Sequence, residues 1–132
     1  MSSFSAPAPK LVLCVDDELV GLSVRKTLLE HAGYKVLTAA NGPEGLRLFE
    51  REPVDAVVLD YFMPGMHGPE VAVQMRSSKP DVPILLLSAH LGISESLDSL
   101  VNVYMIKGAG APAFLQTLST LFDGGPLPNN LR

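Results

Sequence analysis

Residues 11–18 read LVLCVDDE, five apolar residues running straight into three carboxylates. A short Leu/Val-rich run without polar alternation is what a strand covered on both faces looks like, so a buried strand is predicted here with Asp16, Asp17 and Glu18 at its carboxyl end. Four more such runs follow, at residues 34–38, 54–59, 84–87 and 103–106. The segments between them have helical spacing. In the first, Val20, Val24, Leu28 and Ala32 fall on one face and Gly33, tolerant of positive φ, suits the C′ position. Three others carry Pro43, Pro69 and Pro112 in the first turn, where the missing N–H costs nothing. Their inward residues are Leu46 and Phe49, then Val71 and Met75, then Leu115, Leu118 and Phe122. The shortest segment, residues 94–101, spans barely two turns with Leu97, Leu100 and Val101 on one face.

A strand and a helix repeated five times imply an α/β, doubly wound parallel sheet with right-handed crossovers and helices on both faces. The 132 residues leave room for one such domain, expected over residues 10–122. Residues 1–9 are expected to be a disordered leader and residues 123–132 a flexible tail, which also suits the start of a linker in a longer parent protein.

Composition narrows the function. No apolar run approaches the ~20 residues that span a bilayer, and the start lacks a basic segment followed by an apolar one, so a cytoplasmic protein without membrane contact is expected. With 10 Lys and Arg against 14 Asp and Glu and no basic cluster, direct nucleic-acid binding is not expected. The single cysteine, Cys14, cannot form an internal disulfide and reads as a small buried hydrophobe.

In an open α/β sheet the ligand crevice lies outside the carboxyl ends of the strands. There the sequence places Asp16, Asp17 and Glu18, then Asp60, then Ser88 and Ala89, then Lys107. Two like charges ~4 Å apart repel by about 1 kcal/mol in water and about 4 at an effective dielectric near 20, so gathered aspartates call for a cation. Carboxylates without soft or nitrogen ligands favour Mg²⁺. Phosphoryl transfer then needs a positioned nucleophile, Asp60, and positive charge from Mg²⁺ and Lys107. The plain alternative for Asp16 and Asp17 is that they cap the following helix.

VDDE at 15–18, LDYFMPGMHG at 59–68, Ser88-Ala89, and Tyr104 with Lys107 together resemble the signature set of response-regulator receiver domains, over about residues 10–122. The resemblance implies a flavodoxin-like strand order 2-1-3-4-5, Asp60 as phosphoacceptor, Asp17 as a direct Mg²⁺ ligand, Asp16 as a ligand through water, and the Phe62 carbonyl as the backbone ligand. It further implies that Ser88 and Lys107 bind phosphoryl oxygens and that Tyr104 moves with the switch, the alternative for Tyr104 being plain core. Phe62 and His90 would modulate dephosphorylation. The implied partners are a sensor histidine kinase or phosphotransfer protein and an output protein docking on the face made by the fourth helix, fifth strand and fifth helix.

Two departures stand out. The family usually has Pro after the lysine, but Lys107 precedes Gly108, Ala109 and Gly110. A cis bond there would cost ~2.5–4 kcal/mol, so this loop is expected to be either trans or strained, leaving Lys107 more mobile. The approach to the fifth strand is LVN at 100–102 in place of the usual Gly-Ala-Asp-like turn. Such a domain catalyses its own phosphorylation and dephosphorylation without being a conventional enzyme. The competing readings are a pseudo-receiver that binds without phosphate and a metal-dependent phosphatase. The acidic triad, Ser88 and Lys107 speak against the first, and Phe62, where a general acid would stand, against the second.

Overall fold

The computed structural model describes residues 8–89 and 100–124. Five strands, β1 Leu11–Val15, β2 Lys35–Ala39, β3 Ala56–Asp60, β4 Ile84–Ser88 and β5 Val103–Ile106, form one parallel sheet in the order β2-β1-β3-β4-β5. Each lies within two residues of its predicted place. Four helices stand among the described residues: α1 Leu19–His31, α2 Gly42–Arg51, α3 Gly68–Ser78 and α4 Ala111–Asp123. The helix expected over residues 94–101 falls mainly outside the described residues, as do most of the leader and tail.

Strand alternation divides the core into two layers. Leu13, Val15, Val57, Leu59, Ile84 and Leu86 face a layer closed by Phe49 of α2 and by Val71, Ala72 and Met75 of α3. Val12, Cys14, Val58, Leu85, Leu87 and Met105 face the other, closed by Leu22 and Leu29 of α1 and by Phe114 and Leu118 of α4. Cys14 is buried there, and that burial pushes its thiol up to about 12, as the small-hydrophobe reading requires. Pro43, Pro69 and Pro112 each occupy the first turn of their helix, and Gly33 takes φ +100° just beyond α1. No helix among the described residues is long and apolar enough to cross a membrane.

One inward face differs from its prediction. Val20 and Val24 are 80% and 60% exposed, and the buried residues of α1 are Leu22 and Leu29. The stripe that meets the sheet therefore runs Leu22, Arg25, Leu29, at i, i+3 and i+7. A charge in the middle of it disguises it, and the valines on the neighbouring face imitate it.

Candidate functional site

The sheet layers also sort the polar residues at the strand ends. Asp16 follows Val12 and Cys14 in alternation, Asp60 follows Ala56 and Val58, and Lys107 follows Val103 and Met105, so all three belong by parity to the α1 and α4 side. Ser88 follows Ile84 and Leu86, on the α2 and α3 side. Tyr104 pairs in register with Leu86 and is half-buried against that same layer, diagonally across from Ser88.

Carboxylate oxygens of Asp16, Asp17 and Asp60 lie within 4.8 Å of one another. Adjacent in sequence, Asp16 and Asp17 differ completely in setting: Asp16 is 1% exposed, whereas Asp17 is exposed. Lys107 Nζ sits 3.0 Å from Asp60 Oδ1, 3.2 Å from Asp16 Oδ2 and 3.1 Å from Glu18 Oε1. Arg25 reaches back from α1 to form a second ion pair with Asp16 Oδ2. The other oxygen of Asp16 accepts the Glu18 N–H at 2.9 Å. The capping alternative for the aspartate pair does not describe α1, whose N-cap is Glu18 with no side-chain cap bond.

The electrostatics follow from this packing. Burial pushes the Asp60 carboxyl up to about 6, with Asp16 reinforcing the rise and the hydrogen bond from Lys107 opposing it. For Lys107 burial works toward a lower value, but hydrogen bonds to Asp60 and Glu18 and the charge of Asp16 outweigh it and hold the ammonium above its ordinary range. Three carboxylates on one cation-sized perimeter, with only oxygen donors among them, fit a hard divalent ion such as Mg²⁺.

The loop after Asp60 is fixed by its own glycines. Gly65 takes φ +85°. Gly68 opens α3 directly against the backbone of Asp60 and Tyr61, where a Cβ would collide with the Asp60 carbonyl, and its N–H donates to the Tyr61 carbonyl at 2.8 Å. His67 caps α3, its Nδ1 accepting the Met63 N–H at 3.3 Å while Glu70 accepts the His67 N–H at 3.1 Å. Phe62, 52% exposed, lies beside the Tyr61 ring at 4.6 Å and edge-on to His67 at 5.6 Å. His90 lies outside the described residues. After β5 the chain makes a single 3-10 turn, Lys107–Ala109, and no cis peptide bond occurs among the described residues. Lys107 is aimed into the triad without the usual proline.

Sequence reasoning missed Arg25 altogether and named Glu18 only as a strand end. The available signal was the position of Arg25, three residues after Leu22 and four before Leu29, where a charge in a core-facing stripe needs a buried partner.

Comparison with known proteins places this arrangement. Residues 12–117 match the family described as response regulator receiver domain. Response regulator MprA of Mycobacterium sp. (strain KMS) is 36% identical over 126 residues, covering 89% of this chain and 55% of MprA, so the chain spans about half the length of that relative. A CheY-like receiver domain protein from Methanospirillum hungatei superposes with a TM-score of 0.83 at 26% identity, covering 88% of this chain and 95% of the other. Response regulator TrrA from Thermotoga maritima, solved in complex with Mg²⁺ and BeF, gives a TM-score of 0.80 at 34% identity, covering 85% and 98%. The strand order, the aspartate cluster and these likenesses agree, and the chain belongs to the response regulator receiver domain family of two-component signalling.

Proposed function

We propose that Asp60 is the phosphoacceptor of this domain and that Asp16, Asp17, Asp60 and the Phe62 carbonyl hold Mg²⁺. The observation that carries the reading is the triad itself, with a buried Asp60 3.0 Å from the Lys107 ammonium. A carboxylate oxygen of Asp60 attacks the phosphorus of a phosphohistidine, the P–N bond breaks as the acyl phosphate O–P bond forms, and the departing imidazole takes a proton from water. Lys107 exchanges its contact with Asp60 for one with a phosphoryl oxygen, and Ser88 donates its hydroxyl to another. The bound cation supplies positive charge against the equatorial oxygens. Asp17, exposed and in no ion pair among the described residues, is the direct ligand. Asp16, already engaged by Lys107, Arg25 and the Glu18 N–H, acts through water.

Ser88 and Tyr104 share one face of the sheet, so a hydroxyl drawn toward the phosphoryl group opens space into which the Tyr104 ring turns. Its readers dock on β5, α4 and the segment over 94–101. The donor is a sensor histidine kinase or a phosphotransfer protein, in the cytoplasm, and Phe62 and His90 set the lifetime of the acyl phosphate.

Intact mass in the presence of acetyl phosphate and Mg²⁺ tests this. The protein is expected to gain one phosphoryl group and Asp60→Ala none. A mutant modified at the wild-type rate removes Asp60 from its role. In Mg²⁺ titrations Asp17→Asn is expected to weaken binding more than Asp16→Asn.

A further inference from the structure

Asp16 is held by two cationic side chains, and one of them lies outside the residues that carry phosphoryl chemistry. Arg25 stands on the core-facing stripe of α1 between Leu22 and Leu29. Side chains on a helix lean toward its N-terminus, so Arg25 runs back along α1 and delivers its guanidinium to Asp16 Oδ2. It passes over Gly21, one turn earlier, at contact distance: a Cβ at that position would sit 3.4 Å from Arg25 Nη1 and 3.5 Å from Nη2. A methyl there would be in ordinary contact with the guanidinium, and only a longer side chain would take its space. Arg25 is 15% exposed at its side chain and has, among the described residues, no acidic partner except Asp16.

We infer that Arg25 is an internal competitor of the divalent cation, a positioning residue that holds Asp16 in the metal-free domain and yields that hold when the ion arrives. The inference rests on the reading of the aspartate triad as the Mg²⁺ site. Arg25 and the ion draw on one carboxylate and repel one another, so the guanidinium lowers the affinity of the site and leaves metal occupancy responsive to the Mg²⁺ concentration. A place exists for the group when displaced. A groove of about 170 Å³ between α1 and α4 is lined by Val24, Arg25, Leu28, Met105, Lys107 and Phe114. Its apolar walls accept the arginine stem while its open side lets the head reach water. Lys107 also touches Asp16, but it faces Asp60 and Glu18 as well and has the phosphoryl group to serve. Among the described residues Arg25 pairs with Asp16 alone.

The test is calorimetric titration of the chelator-stripped full chain with Mg²⁺ alone. Arg25→Met, which keeps the stem and removes the charge, is expected to tighten binding by about three- to thirtyfold, whereas Arg25→Lys restores an affinity close to wild type. Gly21→Leu, which leaves Arg25 in the chain but takes its space, is expected to shift affinity in the same direction by less. In wild type the NMR signal of Arg25 Nε–H moves with the same Mg²⁺ midpoint as the heat. Arg25→Met binding Mg²⁺ as wild type does, or more weakly, overturns the competitor role and leaves the metal site standing. No Mg²⁺ binding in either wild type or Arg25→Met overturns the metal reading and this inference with it.

Discussion

Helices α1 and α2 have the same architectural task, each covering one face of the sheet next to β1, yet they are built on opposite terms. α2 starts by the local rules. Asn41 Oδ1 accepts the Glu44 N–H at 2.9 Å, the Glu44 side chain accepts the Ala40 N–H at 2.8 Å, Pro43 sits in the first turn, and Phe49 is fully buried. α1 breaks them: an N-cap without a side-chain bond, no acidic residue in the first turn and an arginine in the core-facing stripe. The carboxylates at its start are engaged elsewhere, Asp16 with Lys107 and Arg25, Glu18 with Lys107. Local rules yield where a helix start doubles as the wall of a charged site.

Phe49→Ala in α2 should show the largest effect, because a fully buried ring in a packed layer leaves a cavity. The expected loss is about 3–5 kcal/mol in urea unfolding. In α1 the matching pair is Leu29→Ala and Val24→Ala. Leu29 is fully buried and should cost about 2–5 kcal/mol, while Val24, 60% exposed, should stay within about 0.5. Equal losses at the two positions would restore the valine face to the core and undo the contrast.

Those same two helices mark how far the fold was legible. The strands were plain because both their faces are covered, and α2, α3 and α4 announced themselves by proline in the first turn. The phase of α1 was hidden by Arg25, since periodicity treats a charge as outward. Within the site, Asp16, Asp17, Asp60 and Lys107 were legible as strand-end residues, and the structure brings them together. The opposite settings of Asp16 and Asp17 were not, because burial of one depends on α1 passing over it. Arg76 escaped for a related reason. Its Nε donates to the Leu100 carbonyl at 2.9 Å, its Nη1 to the Val82 carbonyl at 2.6 Å and its Nη2 to Asn102 Oδ1, clamping the approach to β5 through contacts that span up to 26 residues. Long side chains act at distances that spacing rules do not see.

A third measurement addresses the charge buried on the α1 side. Asp60 is held at about 6 in the folded protein against an ordinary 3.8, so folding favours its protonated form. That contribution is fully present below about pH 4 and is lost as pH rises through about 6. In chelator, Asp60→Asn should therefore be more stable than wild type near pH 7.5 by about 1–3 kcal/mol, and the gap should close as pH falls toward 4. A gap that widens on acidification would mean that the Lys107 contact outweighs burial at Asp60.

The smallest expected effect bears most directly on the two helix starts. Asn41 makes a side-chain cap, and capping Asn→Ala replacements cost about 1 kcal/mol. Glu18 occupies the same position on α1 without such a bond, its carboxylate being turned to Lys107 at 3.1 Å. Since that side chain is 69% exposed, the ion pair is screened and contributes little. Urea midpoints should therefore place Asn41→Ala about 1 kcal/mol below wild type and Glu18→Ala within about 0.5 of it. The first amides of α1 lose no side-chain partner when Glu18 is truncated, whereas the Glu44 amide loses its partner when Asn41 is. A Glu18→Ala loss equal to that of Asn41→Ala would show that Glu18 does cap α1, and that the start of this helix serves stability as much as the acidic site.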